Sequence, residues 1–237
     1  MKSVVFLIVV FGLTLYLIRQ CRKPHSWVGR FFLWEMAQRH RHLTDWGLNH
    51  TVIKSDFQIL DVGCGSGKTV AKLAQMAATG TVSGLDYSSA SVAASLRTNR
   101  ESVASGRVAI YHGAVSSLPF PDHHFDLVTA VETHYYWPNL TNDLREIRRV
   151  LKQGGKVMIM AEAFKHRPFD PVQVAMKMLS ASFLTEQEHR QALLSAGYDD
   201  IEIVTDPRKG WLCAIGVNRN GSAAVENEPH ADPLNSV

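Results

Sequence analysis

The chain has 237 residues, 46% of them hydrophobic and 20% charged, a composition that suits a globular domain large enough to bury a core. A net charge of +3 is too small to argue for nucleic acid, and much of the excess sits near the N-terminus, at Arg19, Arg22, Lys23, Arg30, Arg39 and Arg41. The three cysteines (Cys21, Cys64, Cys213) are too scattered for a disulfide framework and fit a reducing compartment, and the eleven histidines show no metal-ligand spacing, so no metal is expected.

Residues 3–18 run without a charge and are mostly Val, Leu, Ile and Phe. A spanning helix needs about 20 apolar residues, with about 17 as the lower limit, and the flanking Gln20 and Cys21 extend this run slightly. A cleaved signal peptide shares those features, but Arg19-Gln20-Cys21-Arg22-Lys23 follows in place of a small-x-small cleavage site. Positive charge lies mainly after the segment, which places the body of the protein in the cytoplasm. Residues 1–24 are therefore expected to be a single-pass membrane anchor.

Residues 25–54 form an aromatic-rich lead-in, with Trp27, Phe31, Phe32, Trp34 and Trp46 among Arg and His. Phe31, Trp34, Met36 and Ala37 have the rough spacing of an amphipathic helix. His40 and His42 lie in this basic stretch and read as solvated surface.

A strand–helix alternation follows over residues 55–218. Strands are expected at 59–62, 81–85, 108–111, 125–131 and 157–161, with late strands at 201–204 and 211–217. Helices are expected at 68–78, from a Ser88 or Ser89 cap to about Asn99, at 142–151 with a stop at Gly154-Gly155, and from a capping box at Thr185 to Ala196-Gly197. Residues 219–237 are polar and read as a disordered tail. Repeated strand–helix units imply a parallel sheet covered on both faces.

The functional argument begins at Asp61-Val62-Gly63-Cys64-Gly65-Ser66-Gly67-Lys68-Thr69, where a buried strand enters a glycine turn before a helix. Glycine there lets the backbone turn sharply and lets a ligand approach closely. A phosphate-binding loop requires a first glycine where Val62 stands, and a dinucleotide fingerprint requires a third where Lys68 stands. Each fails by one position. The remaining pattern is an acidic strand end followed by G-x-G-x-G, with a second strand ending at Asp86, a carboxylate suited to a ribose.

The sequence resembles the class I S-adenosylmethionine-dependent methyltransferases, specifically the type 11 methyltransferase-domain family. Besides the turn, the resemblance rests on Gly84-Leu85-Asp86-Tyr87-Ser88, Leu118-Pro119-Phe120-Pro121-Asp122, Phe125-Asp126-Leu127-Val128 and the run from Leu144 to Gly155. It implies an α/β Rossmann-like doubly wound sheet of about seven strands, mostly parallel with an antiparallel last strand, preceded here by the N-terminal hydrophobic helix. It also implies that Asp61, Gly63, Cys64, Gly65 and Gly67 line the methionine and ribose side of the cofactor. Asp86 would hold the ribose, Tyr87 would lie against the adenine, Ala114 and Val115 would border its edge, and Val131 and Glu132 would sit beside the methionine. The family often has an aspartate where this chain has Ala114, so adenine is expected to be held more by packing.

Chemistry is expected just after the fourth strand, in Glu132-Thr133-His134-Tyr135-Tyr136-Trp137-Pro138. No Asn/Asp-Pro-Pro-aromatic motif stands there, which argues against methylation of DNA adenine or glutamine. His134 is the first candidate base, with Glu132 or Tyr135 behind it and Glu162 at the cleft rim. An anchored chain with an aromatic entrance points to a small, lipid-like acceptor. A non-catalytic sensor or scaffold that binds S-adenosylmethionine is the rival reading.

Overall fold

The computed structural model describes residues 40–162 and 183–219. The hydrophobic run 3–18, the helical spacing at 31–37 and the tail beyond residue 219 lie outside the described residues. Among the described residues, no helix is long and apolar enough to cross a membrane.

In chain order the elements are α1 (Arg41–Leu48), β1 (Gln58–Val62), α2 (Lys68–Met76), β2 (Thr81–Asp86), α3 (Ser89–Thr98), α4 (Arg100–Ala104) and β3 (Val108–His112). There follow β4 (Phe125–Val131), a 3-10 turn (His134–Tyr136), α5 (Leu140–Val150), β5 (Leu151–Ala161), α6 (Glu186–Ser195), β6 (Asp199–Asp206) and β7 (Trp211–Val217). The strands form one sheet in the order 3-2-1-4-5-7-6. β7 runs antiparallel to both its neighbours, β5 and β6, as expected for the last strand.

Each face of the sheet carries its own core. On one face Leu144, Ile147 and Val150 of α5 and Leu193 of α6 pack on Leu60, Val128 and Ile159. On the other, Val70 and Leu73 of α2 and Leu43 and Leu48 of α1 meet Ile59, Leu127, Met158, Met160 and Trp211. Strands buried from both sides read as nearly continuous apolar runs, as they do in β1, β4 and β5.

Local capping follows the sequence rules in two places. The Ser88 hydroxyl accepts the Ser91 N–H at the start of α3, and Thr185 and Glu188 form a reciprocal capping box on α6. A third expectation is corrected. Gly154-Gly155 is not a helix stop: α5 ends at Val150, and the glycines lie inside β5. There the register with β4 slips, Phe125 facing Leu151 while Leu127 faces Lys156. Gly154 takes a positive φ of 76° and donates its N–H to the Asn218 carbonyl at 2.7 Å, so the pair serves a strand kink.

The chain runs outward through β2 and β3 on one side of β1, and through β4 and β5 on the other. The order reverses between β1 and β4. Ligands of open α/β sheets bind in the crevice beyond the carboxyl ends of strands at such a switch point.

Candidate functional site

A cavity of about 660 Å3 lies at that crevice, within the range of small-molecule sites. Its floor is the turn after β1. Gly63, Gly65 and Gly67 have φ of 75°, 52° and 78°, values that residues with a Cβ rarely adopt. The Gly63 N–H and the Cys64 N–H both donate to the Leu85 carbonyl, at 2.7 and 3.1 Å, which ties the turn to the end of β2.

Asp86 closes β2 and faces the cavity. One of its oxygens accepts the Gly65 N–H at 2.9 Å and the other accepts the Ser88 N–H at 2.9 Å. A carboxylate offers about four acceptor sites, so capacity remains for a diol. Burial raises the Asp86 carboxyl above its ordinary range, while these backbone donors oppose the rise.

Asp61, at the end of β1, lies deeper. It is 2% exposed and accepts the Thr129 hydroxyl at 2.7 Å. Burial pushes its carboxyl up to about 7, against the Thr129 hydrogen bond and with the Asp86 charge adding to the rise. A cationic ligand group placed here would reverse that rise.

Of the residues expected at the cofactor, Asp61, Gly63, Cys64, Gly65, Asp86, Tyr87, Ala114, Val115 and Val131 all line the cavity. Gly67 does not. Its space is taken by Ser95 and Asn99, and the Asn99 amide donates to the Gly67 carbonyl at 3.0 Å. Gly67 thus lets α3 pack closely against the turn, and the buried Asn99 that braces it carried no motif signal.

The segment after β4 distributes its side chains differently from expectation. Glu132 lines the cavity in a left-handed conformation, φ 57°. Its carboxylate accepts the Tyr135 hydroxyl and the Glu162 backbone N–H. A non-glycine residue held in this region costs of the order of 1–3 kcal/mol and is a feature that clusters at functional sites. Thr133, Tyr136, Trp137 and Pro138 complete this wall.

His134 and Tyr135 are not on the cavity. His134 is 2% exposed and its Nε2 lies 3.0 Å from Nε2 of His189 on α6. Burial, with His189 beside it, holds the ring well below its usual pKa. Tyr135 is buried against Phe183, and burial and the Glu132 charge raise its phenol well above the ordinary value. Tyr135 therefore orients Glu132, and Glu162 contributes its backbone.

The structure adds a wall that sequence reasoning missed. His40, Arg41, Thr44 and Asp45, at the start of α1, line the cavity. His40 Nε2 lies 3.7 Å from a Glu132 oxygen, and Asp45 pairs with Lys72 of α2. The only sequence signal was a polar stripe at i, i+3 and i+4 beside the apolar Leu43 and Leu48. Among the described residues no group of His, Cys, Asp and Glu is arranged to hold a metal.

This strand order, a G-x-G-x-G turn beneath a cavity and a carboxylate closing β2 define the Rossmann-like class I methyltransferase domain. The type 11 family model, described as a methyltransferase domain, matches residues 60–159 of the chain, the part that holds β1 to β5. It is 37% identical over 120 residues to a sterol 24-C-methyltransferase of Gibberella zeae, covering 49% of this chain and 30% of the relative. It is 30% identical over 147 residues to a 2-phytyl-1,4-naphtoquinone methyltransferase of Nostoc punctiforme, covering 62% and 63%. The chain thus spans less than two thirds of the length of either relative. Among solved structures, a chain from the complex between the Haloferax volcanii Trm112 methyltransferase activator and a methyltransferase superposes with a TM-score of 0.71. That pair shares 21% identity, with 82% of this chain and 96% of that one covered, a likeness of fold.

Proposed function

We propose that this protein transfers a methyl group from S-adenosylmethionine to a small lipophilic acceptor. The observation that carries the reading is Asp86: a buried carboxylate, positioned by the Gly65 and Ser88 N–H groups, with acceptor capacity left facing the cavity. The residues present fit the donor. Asp86 would take the ribose hydroxyls, Tyr87, Ala114 and Val115 the adenine, and Gly63 the close approach of the remaining chain. When bound, the sulfonium supplies an already activated methyl group.

The protein's own contribution is then to orient the acceptor and exclude water, which is worth up to about 7–11 kcal/mol of barrier in well-aligned reactions. Tyr136, Trp137 and Pro138 offer an apolar wall for the acceptor. His40 and Glu132 stand together on the cavity and form the proton acceptor in this reading, the role first sought at His134. A base so placed typically contributes about 10²–10⁴-fold. The names of the relatives, which act on a sterol and a naphthoquinone, support a lipophilic acceptor. The charge-free run at 3–18, followed by basic residues, supports a membrane anchor with the domain on the cytoplasmic side.

The test is incubation of the full chain with methyl-labelled S-adenosylmethionine and fractionated lipid and soluble extracts. Label should enter a lipid fraction and be lost with Asp86→Ala. Label confined to soluble acceptors would overturn the lipophilic assignment. Tight nucleoside binding without transfer to any fraction would favour the sensor reading.

A further inference from the structure

His40, just before α1, and Glu132, just after β4, meet on the cavity wall, with Nε2 of the ring 3.7 Å from a carboxylate oxygen. Their side chains are 17% and 11% exposed, so the pair is largely screened from bulk water. Glu132 is held on two sides: one oxygen accepts the Tyr135 hydroxyl and the other accepts the Glu162 backbone N–H. With both oxygens already accepting, its carboxylate is placed to face a positive charge. The imidazole of His40 is the group that can take a proton, and on doing so it stands at ion-pair distance from Glu132.

What such a base is for depends on the acceptor. A carboxylate is already ionised at neutral pH and has no proton to give up. An alkene attacks without losing a proton and turns positive as it does so. An alkylamine begins as a cation. A phenol or enol must lose its proton to attack well, and turns negative as it does. The charge on the cavity separates these classes. Asp45 is paired with Lys72, Asp61 and Asp86 stand on the side given to the cofactor, and Glu132 answers His40. Arg41 and Lys68 also line the cavity, both exposed, and among the described residues neither has an ion pair. That remaining positive charge opposes a protonated amine or a developing carbocation and favours an oxygen that turns anionic.

Resting on the reading of the cavity as a methyl-transfer site, we propose that the acceptor is a phenol or enol and that the methyl group goes to its oxygen, with His40 as the base. The hydroxyl proton passes to the imidazole. The acceptor oxygen bonds to the methyl carbon as the carbon–sulfur bond breaks, and that bond's electron pair stays on sulfur. The products are a methyl ether, S-adenosylhomocysteine and a proton on His40, which Glu132 steadies until water takes it. Tyr136, Trp137 and Pro138 take the acceptor's apolar body. Tyr135, behind Glu132, is a positioning residue. The assignment departs from the carbon acceptor in the name of the sterol relative.

The experiment uses the full chain, methyl-tritiated S-adenosylmethionine, and the lipid and soluble fractions of a cell extract as the source of acceptor. The labelled product is treated with mild alkali, which frees a methyl ester. Hot hydriodic acid follows, which frees an ether methyl as volatile methyl iodide below the temperature at which N-methyl groups leave, and spares a carbon-bound methyl. Most of the label should survive the alkali and become volatile in the acid. Label lost to alkali, or kept through the acid on carbon or nitrogen, overturns this proposal while methyl transfer stands. His40→Ala should lower transfer about 10²–10⁴-fold and leave calorimetric S-adenosylhomocysteine affinity within about two-fold of native. An equal fall in both, or no fall in transfer, removes His40 as the base and overturns the proposal. A native chain that binds S-adenosylhomocysteine but labels no fraction overturns methyl transfer itself, and one that binds none overturns the cofactor site, each taking this proposal with it.

Discussion

The Asp86 carboxylate accepts the Gly65 backbone N–H at 2.9 Å, so the acid that ends β2 and the glycine turn that follows β1 are built as one unit. The bond leaves the turn's floor open to the cavity and fixes the direction of the carboxylate. It also means that substitutions at Asp86 act on two things, ligand affinity and turn geometry.

Asp86→Asn weighs one against the other, because the amide can accept only one of the Gly65 and Ser88 N–H groups and leaves the other without its partner. Asparagine keeps the size and one acceptor oxygen but loses the charge that strengthens hydrogen bonds to a diol. Hydrogen bonds to charged groups are worth about 1.5–3 kcal/mol each, so nucleoside affinity should fall at least 10-fold. The melting temperature should change by only a few degrees. Calorimetry with S-adenosylhomocysteine beside thermal melting checks both, and native affinity in the variant would remove Asp86 from the site.

Gly63→Ala tests how closely the turn meets the segment after β4. A Cβ at Gly63 would collide with the Thr133 side chain, and the φ of 75° is itself unfavourable to alanine. A destabilisation of about 1–3 kcal/mol is expected in urea unfolding. Adding Thr133→Ala should recover part of it, because the hydroxyl and methyl are what the new Cβ meets. Strictly additive effects would mean the two residues do not touch.

The legible parts of this protein were those governed by local rules. Three glycines at positive φ, an acid at a strand end, the Ser88 cap and the Thr185–Glu188 box each depend on a few neighbouring residues, and each is where the sequence puts it. Gly154-Gly155 misled because one glycine pair serves equally well as a helix stop or as a strand kink. Only the pairing of β5 with β4 and the contact to Asn218 decide between them. His40 and Arg41 were hidden for a different reason. They reach the cavity because Gly47 allows α1 to lie against Met160, a contact between residues more than a hundred positions apart.

Asp61 predicts an unusual dependence of stability on pH. Its folded carboxyl titrates at about 7, while the ordinary value is 3.8. Between those values the folded state holds a proton that the unfolded state has released, so stability falls as pH rises through that window. The full difference is up to about 4 kcal/mol. Asp61→Asn carries no such cost. The variant's melting temperature should exceed the native one at pH 8 and approach it at pH 4, although nucleoside binding is lost. A difference that stays constant with pH would show that Asp61 is ionised at little cost in the folded chain.

The buried histidines bias stability the opposite way. His189 Nδ1 lies 2.9 Å from the Thr185 carbonyl, which only accepts, so Nδ1 carries the proton and Nε2 is left as an acceptor. His134 Nε2–H must then donate to it, and the buried His134 Nδ1 has no hydrogen-bond partner among the described residues. Both rings are neutral in this arrangement, and both are held below the ordinary value of 6.5, chiefly by burial. Below pH 6.5 the unfolded chain takes up protons that the folded pair refuses, so the stability supplied by the neutral pair is lost as pH falls. The loss approaches about 1.4 kcal/mol per histidine per pH unit. His189→Gln removes one titrating ring and can still donate to the Thr185 carbonyl. Urea unfolding from pH 7 to pH 5 should therefore show a shallower decline in the variant than in the native chain. Nucleoside affinity at pH 7.5 should be unchanged, because the pair lies outside the cavity. An equally steep decline in the variant would mean the imidazoles protonate freely in the folded state. A loss of nucleoside affinity instead would return His134 to the site from which its burial removes it.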